Sequence, residues 1–344
     1  MGKRVIIVGG GVAGMQAAIT LKKTGCSPLL IEKNIALGGK LNNWDRLFPS
    51  QTSANEIING LTDEIASLNI KNILCGEVSE MRHDEDKIEV NLTDGNTYEA
   101  DAIIIATGFD LFNATQKEEY GYGVYNNVIT SADLEEMFRQ GEVKTSTGVP
   151  PSSVAFLHCV GSRDLQVGQG HCSRVCCITG VKQAIEIRQA LPECQVYNFY
   201  VDMRMFGPGY EELYKEAQEK WKINFIRGRI SEASQTIDNR IRIKAEDTLA
   251  GRPLKLTVDM LVLLIGKKAA ACNRKLAADL GLSLRESGFY APKDNFTDNV
   301  CTCKENVFIA GTALAPKTIG EAMNDGTAAA IKAYEYLNRF ENGK

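Results

Sequence analysis

Apolar positions fall along this chain in short unbroken runs separated by stretches of helical period. Val5-Ile6-Ile7-Val8 is a continuous β run, the pattern of a strand covered on both faces. Gly9-Gly10-Gly11-Val12-Ala13-Gly14 follows, then a helical pattern through Leu21, then a strand Leu29-Leu30-Ile31 that ends at Glu32. Strand, glycine turn, helix and strand open a parallel, doubly wound sheet. A helix is predicted near Ser53–Leu68. Hairpin-like alternation is predicted over Val78–Leu92, with a turn at Thr93-Asp94-Gly95-Asn96, and a buried strand at Asp101–Ala106.

A polar connector rich in Tyr, Gly and Asn covers residues 109–152 and is punctuated by Pro150-Pro151. A second α/β unit starts at Val154-Ala155-Phe156-Leu157. It continues through a helix from Cys176 to Ala190, a strand Val196–Val201, a helix Glu211–Lys220, and strands and hairpins over Ile223–Ile226 and Arg229–Val258. Met260–Ile265 is again a continuous apolar run, Val307–Ala310 a strand, and Ile319–Leu337 a long terminal helix. The expected fold class is α/β with two Rossmann-like domains, the second inserted in the first. Residues 1–108 and 284–344 form the first domain and 153–283 the insertion.

The glycine turn carries chemistry. A Gly-x-Gly-x-x-Gly is weak by itself, but here it follows a strand, opens a helix, and has an acid 23 positions after its first glycine. Gly9 permits the tight turn, Gly11 lets backbone approach a pyrophosphate, and Gly14 lets helix and strand pack closely. The helix N-terminus offers amide donors to phosphate, and Glu32 can accept from a ribose hydroxyl. Two further segments, Ala106-Thr107-Gly108 and Gly311-Thr312 before the helix at Ile319, resemble the three-part FAD signature of flavoproteins with two dinucleotide domains. Most such proteins carry Asp where this chain has Thr312. The resemblance places the terminal helix N-terminus at the flavin, where its dipole would favour the anionic reduced ring. The residues expected at FAD are Gly9, Gly11, Val12, Ala13, Gly14, Glu32, Lys33, Gly39, Lys40, Leu41, Val78, Ala106, Thr107, Gly108, Gly311, Thr312, Lys317, Thr318 and Ile319.

The inserted unit lacks its own fingerprint. After the strand Val154–Leu157 the chain reads His158-Cys159-Val160-Gly161-Ser162-Arg163-Asp164, and no glycine motif opens the next helix, so no ordinary NAD site is expected. No Cys-x-x-Cys or Cys-x4-Cys follows Gly38-Gly39-Lys40-Leu41 either. Instead Cys159, Cys172, Cys176 and Cys177 lie within nineteen residues, four of the chain's ten cysteines. Four thiolates fit a 4Fe-4S cluster, though not with ferredoxin spacing, and without the paired Cys-x-x-Cys knuckles of structural zinc. Adjacent cysteines can both serve at a loop-to-helix junction, where the helix dipole favours thiolate charge. The bland alternative is four buried, inert cysteines.

The segments Cys-Val-Gly-Ser-Arg-Asp, His-Cys-Ser-Arg-Val-Cys-Cys and Lys-Gln-Ala resemble the core of the A-type subunits of heterodisulfide reductase (the HdrA family). The resemblance continues in Tyr120-Gly121-Tyr122-Gly123, Asn127-Val128-Ile129-Thr130, Asp202–Gly207, Gly209-Tyr210-Glu211, Arg227-Gly228-Arg229, Gly288-Phe289 and Gly311–Ala330. It implies FAD, a 4Fe-4S cluster on Cys159, Cys172, Cys176 and Cys177, and Lys182 as a catalytic group near the flavin. It also implies a homodimer, or a dimer with a related A-type subunit, inside a larger complex with B-type and C-type subunits. The methanogen form has further ferredoxin-like motifs, an N-terminal cysteine-bearing extension, and cysteines after the Phe-Pro that matches Phe48-Pro49. This chain reads Ser50-Gln51-Thr52-Ser53-Ala54 there. It therefore resembles the short form of sulfur-oxidising prokaryotes, which implies a role in sulfur-compound oxidation and no flavin-based bifurcation. The alternatives are an NAD(P)H-dependent disulfide reductase using Cys172 with Cys176 or Cys177, and a scaffold protein with vestigial sites.

Composition narrows the classes. Net charge is −4, with no basic excess for nucleic acid, and no apolar run nears the roughly 18 residues a membrane helix needs. Ten cysteines in a chain of 344 residues without a signal peptide point to a reducing, cytoplasmic setting. Cys301-Thr302-Cys303 reads as two side chains sharing a strand face rather than a redox pair. His171, before Cys172, and Tyr120, Tyr122 and Tyr125 are further candidates to line a cofactor loop, or merely pack it.

Overall fold

The computed structural model describes residues 3–84 and 87–339, and the chain divides into two compact units. The first comprises Met1–Asn42, Ala54–Asp110 and Lys268–Lys344, the second Asn43–Ser53 and Leu111–Lys267. Among the described residues no helix is long and apolar enough to cross a membrane.

The first unit is built on a five-stranded parallel sheet in the order Val307–Ile309, Ala102–Ile105, Arg4–Val8, Ser27–Ile31, Lys71–Ile73. Its central strands read as unbroken β-branched runs because both faces are covered. The helices Val12–Lys23 and Ile319–Asn338 pack through small residues. A Cβ on Gly326 would fall 2.3 Å from the Ala13 carbonyl oxygen, so only glycine permits this approach. The alternation over Val78–Leu92 becomes two strands of a three-stranded meander, Val78–Asp84, Lys87–Leu92 and Thr97–Ala100. The predicted turn joins the second strand to the third. The helix Asn273–Leu280 closes the unit, with Leu276 and Leu280 in its core and Asp279 accepting from the Met81 amide.

The second unit has a parallel sheet in the order Val128–Thr130, Met260–Ile265, Ser153–Val160, Gln195–Tyr200, Asn224–Arg227. An antiparallel sheet, Ile230–Gln235, Ile241–Asp247 and Arg252–Val258, carries a second apolar cluster beside it. The helix Cys176–Ala190 is buried along almost its whole length, against Val154, Phe156 and Val262.

The unit boundaries differ from those read in the sequence. Residues 109–152 are no free connector: Val128–Thr130 joins the parallel sheet, and the helix Ser131–Arg139 follows it. That helix starts with a reciprocal cap in which Thr130 accepts from the Asp133 amide and Asp133 from the Thr130 amide. The Thr-x-x-Asp spacing is its sequence signature. The return to the first unit falls at Lys268 rather than 284, because Asn273–Leu280 buries its apolar face there. The short stretch Asn43–Ser53 belongs to the second unit, where Phe48 stacks edge-on against Tyr210 at 5.7 Å.

Candidate functional site

In the first unit, four separated motifs converge on one turn. Gly9 has φ +112°, and a Cβ there would lie 2.3 Å from the Ala106 carbonyl oxygen. A Cβ on Gly14 would lie 1.9 Å from the Gly9 oxygen, so the helix abuts the turn only as glycine. Gly11, by contrast, faces open space, and the helix it precedes has neither a side-chain cap nor an acid in its first turn. The N-terminus formed by Val12, Ala13 and Gly14 is thus left without the groups that would normally satisfy it, which suits a phosphate. Gly38 donates to the Gly10 carbonyl at 2.8 Å and pairs with Gly11, bringing the Gly39-Lys40-Leu41 turn alongside; Leu41 is buried and Lys40 exposed.

Glu32 is buried and held by three donors. Its Oε2 accepts from the Gly10 amide at 2.7 Å, and its Oε1 from the Asn34 amide and side chain at 2.8 and 2.6 Å. The acid therefore braces the fingerprint turn, while Lys33 beside it is exposed. Val78 begins the meander. Thr107 donates to Asn273 at 3.0 Å, and Thr312 Oγ1 lies 3.7 Å from where a Cβ on Gly108 would stand. Gly311 donates to Asp325 at 3.1 Å, and Asp325 also pairs with Lys317. Burial raises the Asp325 carboxyl, opposed by Lys317.

Sequence reasoning missed Asn273 and Asp325. Asp325 had one signal, an acid within the Ala/Gly-rich face of the terminal helix. That helix starts at Ile319 with its own capping box, Thr318 with Glu321. Its N-terminal field is therefore partly offset by its own carboxylate.

In the second unit, Cys159 lies where the strand Ser153–Val160 loses register, with φ +64°, and Cys176 and Cys177 open the next helix. The structure brings these three sulfurs together. Cys176 hydrogen bonds to both Cys159 and Cys177 and keeps its proton, its thiol pushed well up by that sharing. The hydrogen bond from Cys176 lowers Cys159 to about 6 and Cys177 to about 4. The nearby His158 imidazole and the backbone N–H of Arg204 lower Cys177 further, and its sulfur lies 3.6 Å from the Asp202 carbonyl. His158 is buried, with Nε2 2.9 Å from Asn198 Oδ1. Burial pushes the imidazole down, but Cys177 and Asn198 raise it above its ordinary value.

Cys172 accepts from the Arg174 amide at 3.3 Å, with no contact shown to the other three. Ser173 ties its loop back, donating to Ser162 and accepting from the Lys267 amide at 2.8 Å. His171 contacts the Lys267 carbonyl at 2.8 Å, and Tyr120, Tyr122 and Tyr125 pack on the neighbouring apolar cluster. Among the described residues no three His, Cys, Asp or Glu side chains surround one metal-ion position. The donor chemistry is all sulfur, with two lowered thiols and amide donors aimed at sulfur, which suits an iron–sulfide cluster.

Lys182 is neither near-surface nor free. It is 2% exposed, and Nζ lies 2.6 Å from Glu135, 3.0 Å from Glu186 and 3.0 Å from the Arg46 carbonyl. Hydrogen bonds to Glu135 and the Arg46 carbonyl use two of the three donors of this ammonium, and Glu186 stands at ion-pair distance. Cys301 and Cys303 contact Asp298 and the Gly281 carbonyl respectively, with no contact shown between them.

The family model for pyridine nucleotide-disulphide oxidoreductases matches residues 3–326. The A subunit of the H(2):CoB-CoM heterodisulfide,ferredoxin reductase of Methanothermobacter thermautotrophicus is 40% identical over 77% of this chain and 40% of its own. The corresponding protein of Methanothermobacter marburgensis is 31% identical over 96% of this chain and 63% of its own. The iron-sulfur A subunit of the CoB–CoM heterodisulfide reductase of Methanocaldococcus jannaschii is 32% identical over 96% and 64%. The chain thus spans less than two thirds of the length of these relatives. Thioredoxin reductases of Lactococcus lactis (TM-score 0.69, 20% identity, 97% of this chain and 99% of that one) and T. acidophilum (0.68, 19%, 96% and 97%) share its fold. The chain belongs to the pyridine nucleotide-disulphide oxidoreductase family and is a homologue of the A-type subunits of heterodisulfide reductase.

Proposed function

We propose that this chain is an FAD- and 4Fe-4S-carrying electron-transfer component of a heterodisulfide-reductase-like complex. One observation carries the reading: where a second dinucleotide fingerprint would follow the strand Ser153–Val160, the chain has a loop that gathers Cys159, Cys176 and Cys177 and returns through Cys172. Gly11 and the uncapped helix after it would hold the pyrophosphate, Glu32 the ribose, and Thr312 and Gly311 the ribityl–phosphate region. The four cysteines would hold the cluster. Bound, the flavin exchanges electron pairs and the cluster single electrons, so together they connect a two-electron donor to a one-electron path.

The protein's own part is positioning and charge. The Arg204 amide and the charge of the nearby His158 ring stabilise the Cys177 sulfur, and the loop is held shut by Ser162 and Ser173. By homology, partner subunits of B and C type supply the substrate chemistry, a second copy or a related A-type chain completes a dimer, and the setting is the reducing cytoplasm. The cysteine-free segment Ser50–Ala54 after Phe48-Pro49 supports a role in sulfur-compound oxidation.

The test is Cys176→Ser in anaerobically purified protein, read by iron content and by EPR of the reduced sample. The expected outcome is loss or conversion of the cluster with flavin retained. An unchanged iron signal would sink the ligand assignment. Rapid flavin bleaching by NADH in iron-free wild type would favour a thiol-based disulfide reductase instead.

A further inference from the structure

Arg163 follows Cys159 by four residues and has φ +56°, a left-handed conformation uncommon outside glycine. Its backbone is fixed there, the amide donating to the His171 carbonyl at 2.9 Å. Cys159 and Arg174, in the same cysteine-bearing region, also have positive φ, at +64° and +59°. Such strain persists only where surrounding contacts over-determine it.

The guanidinium reaches two segments of the sulfur site. Nη2 donates to Asp202 Oδ2 at 2.7 Å, and the guanidinium also hydrogen bonds the Cys159 sulfur. The Asp202 backbone carbonyl lies 3.6 Å from the Cys177 sulfur. Nη1 is buried and has no hydrogen-bond partner among the described residues. Asp202 does not cancel this charge alone, because it is shared with Arg227 at 3.8 Å and lies in the field of Arg204. The result is a permanent cation at the sulfur site with a donor to spare. Arginine suits this role because it stays charged and is weakly hydrated.

We propose that Arg163 is a positioning and charge-compensating residue for the Cys159 thiolate, and thereby raises the midpoint potential of the cluster held on these cysteines. This rests on the cluster reading above. Reduction adds one negative charge to a site that is already anionic, and a fixed cation beside it favours the reduced state.

The experiment uses the full chain, purified anaerobically, as wild type, Arg163→Gln and Arg163→Lys, each assayed for iron and titrated with dithionite under EPR. Arg163→Gln is expected to keep its iron and disfavour one-electron reduction about tenfold, a shift of about 59 mV to more negative potential. Arg163→Lys, which keeps charge but not the forked contacts, is expected to shift less. If Arg163→Gln loses iron, a shifted potential in iron-loaded Arg163→Lys supports the proposal and an unshifted one overturns it. Iron-loaded Arg163→Gln with an unchanged potential overturns the proposal and leaves the cluster standing. An iron-free wild type overturns both.

Discussion

Lys182 Nζ lies 2.6 Å from Glu135 Oε1, and both side chains are buried. The same ammonium meets Glu186 Oε2 at 3.0 Å, while Glu135 also accepts from Gln183 at 2.7 Å and, through its other oxygen, from the Asp45 amide at 2.9 Å. One cation therefore stands between two buried acids and, through the Arg46 carbonyl, ties Asn43–Ser53 to the rest of the second unit. Removing it leaves carboxylates buried without a counter-charge. Lys182→Met is expected to cost about 3–5 kcal/mol, read as a lower denaturant midpoint. A midpoint equal to wild type would show that the network relaxes without it.

Glu186 gives the network a pH dependence. Burial pushes its carboxyl up to about 7, with Lys182 opposing and Glu135 and Asp45 adding to the rise. A carboxyl raised in the folded state contributes stability that is fully present below its ordinary, unfolded value. That contribution is lost as pH rises through about 7. Thermal midpoints of wild type should therefore fall relative to Glu186→Gln between about pH 5 and about pH 7.5. A constant difference across that range would place the folded-state titration elsewhere.

Gly11 and Gly14 separate folding from nucleotide binding. A Cβ on Gly11 meets nothing within 4 Å, whereas one on Gly14 meets a backbone oxygen at 1.9 Å. Gly11→Ala should keep the melting temperature within a few degrees and lose flavin absorbance per chain. Gly14→Ala should lower both. Full flavin content in Gly11→Ala would remove the pyrophosphate from this turn.

Gly180 lets the buried helix approach the sheet. A Cβ there would stand 2.5 Å from Leu264 Cδ1 and 2.9 Å from His158 Nε2. Gly180→Ala is expected to cost about 1–3 kcal/mol despite its better helix propensity, and to displace His158 from Cys177. The measurement is a denaturant midpoint together with the rate of thiol labelling at Cys177. A stabilised variant with unchanged labelling would contradict the packing.

Much of the fold could be read directly. Met260–Ile265 and Cys176–Ala190 have the bounds that periodicity predicted, and Arg4–Val8 differs by a single residue. Their patterns are local: a strand covered on both faces is an unbroken apolar run, and a helix covered on nearly all sides is a longer apolar stretch. Val128–Thr130 and Asn273–Leu280 escaped because three residues carry no period, and eight barely two turns.

By itself the sequence determined the α/β class, the inserted second unit, the glycine turn with its acid, and the cysteine-rich loop that stands where a second fingerprint belongs. Each is written in neighbouring residues, through spacing and stereochemistry. Only the tertiary structure decided that Lys182 lies between Glu135 and Glu186, that Arg163 joins Cys159 to Asp202, and that Asp325 braces Gly311. A side chain's charge state and usefulness depend on what burial removes and what distant chain supplies, and neither is encoded in the spacing around it.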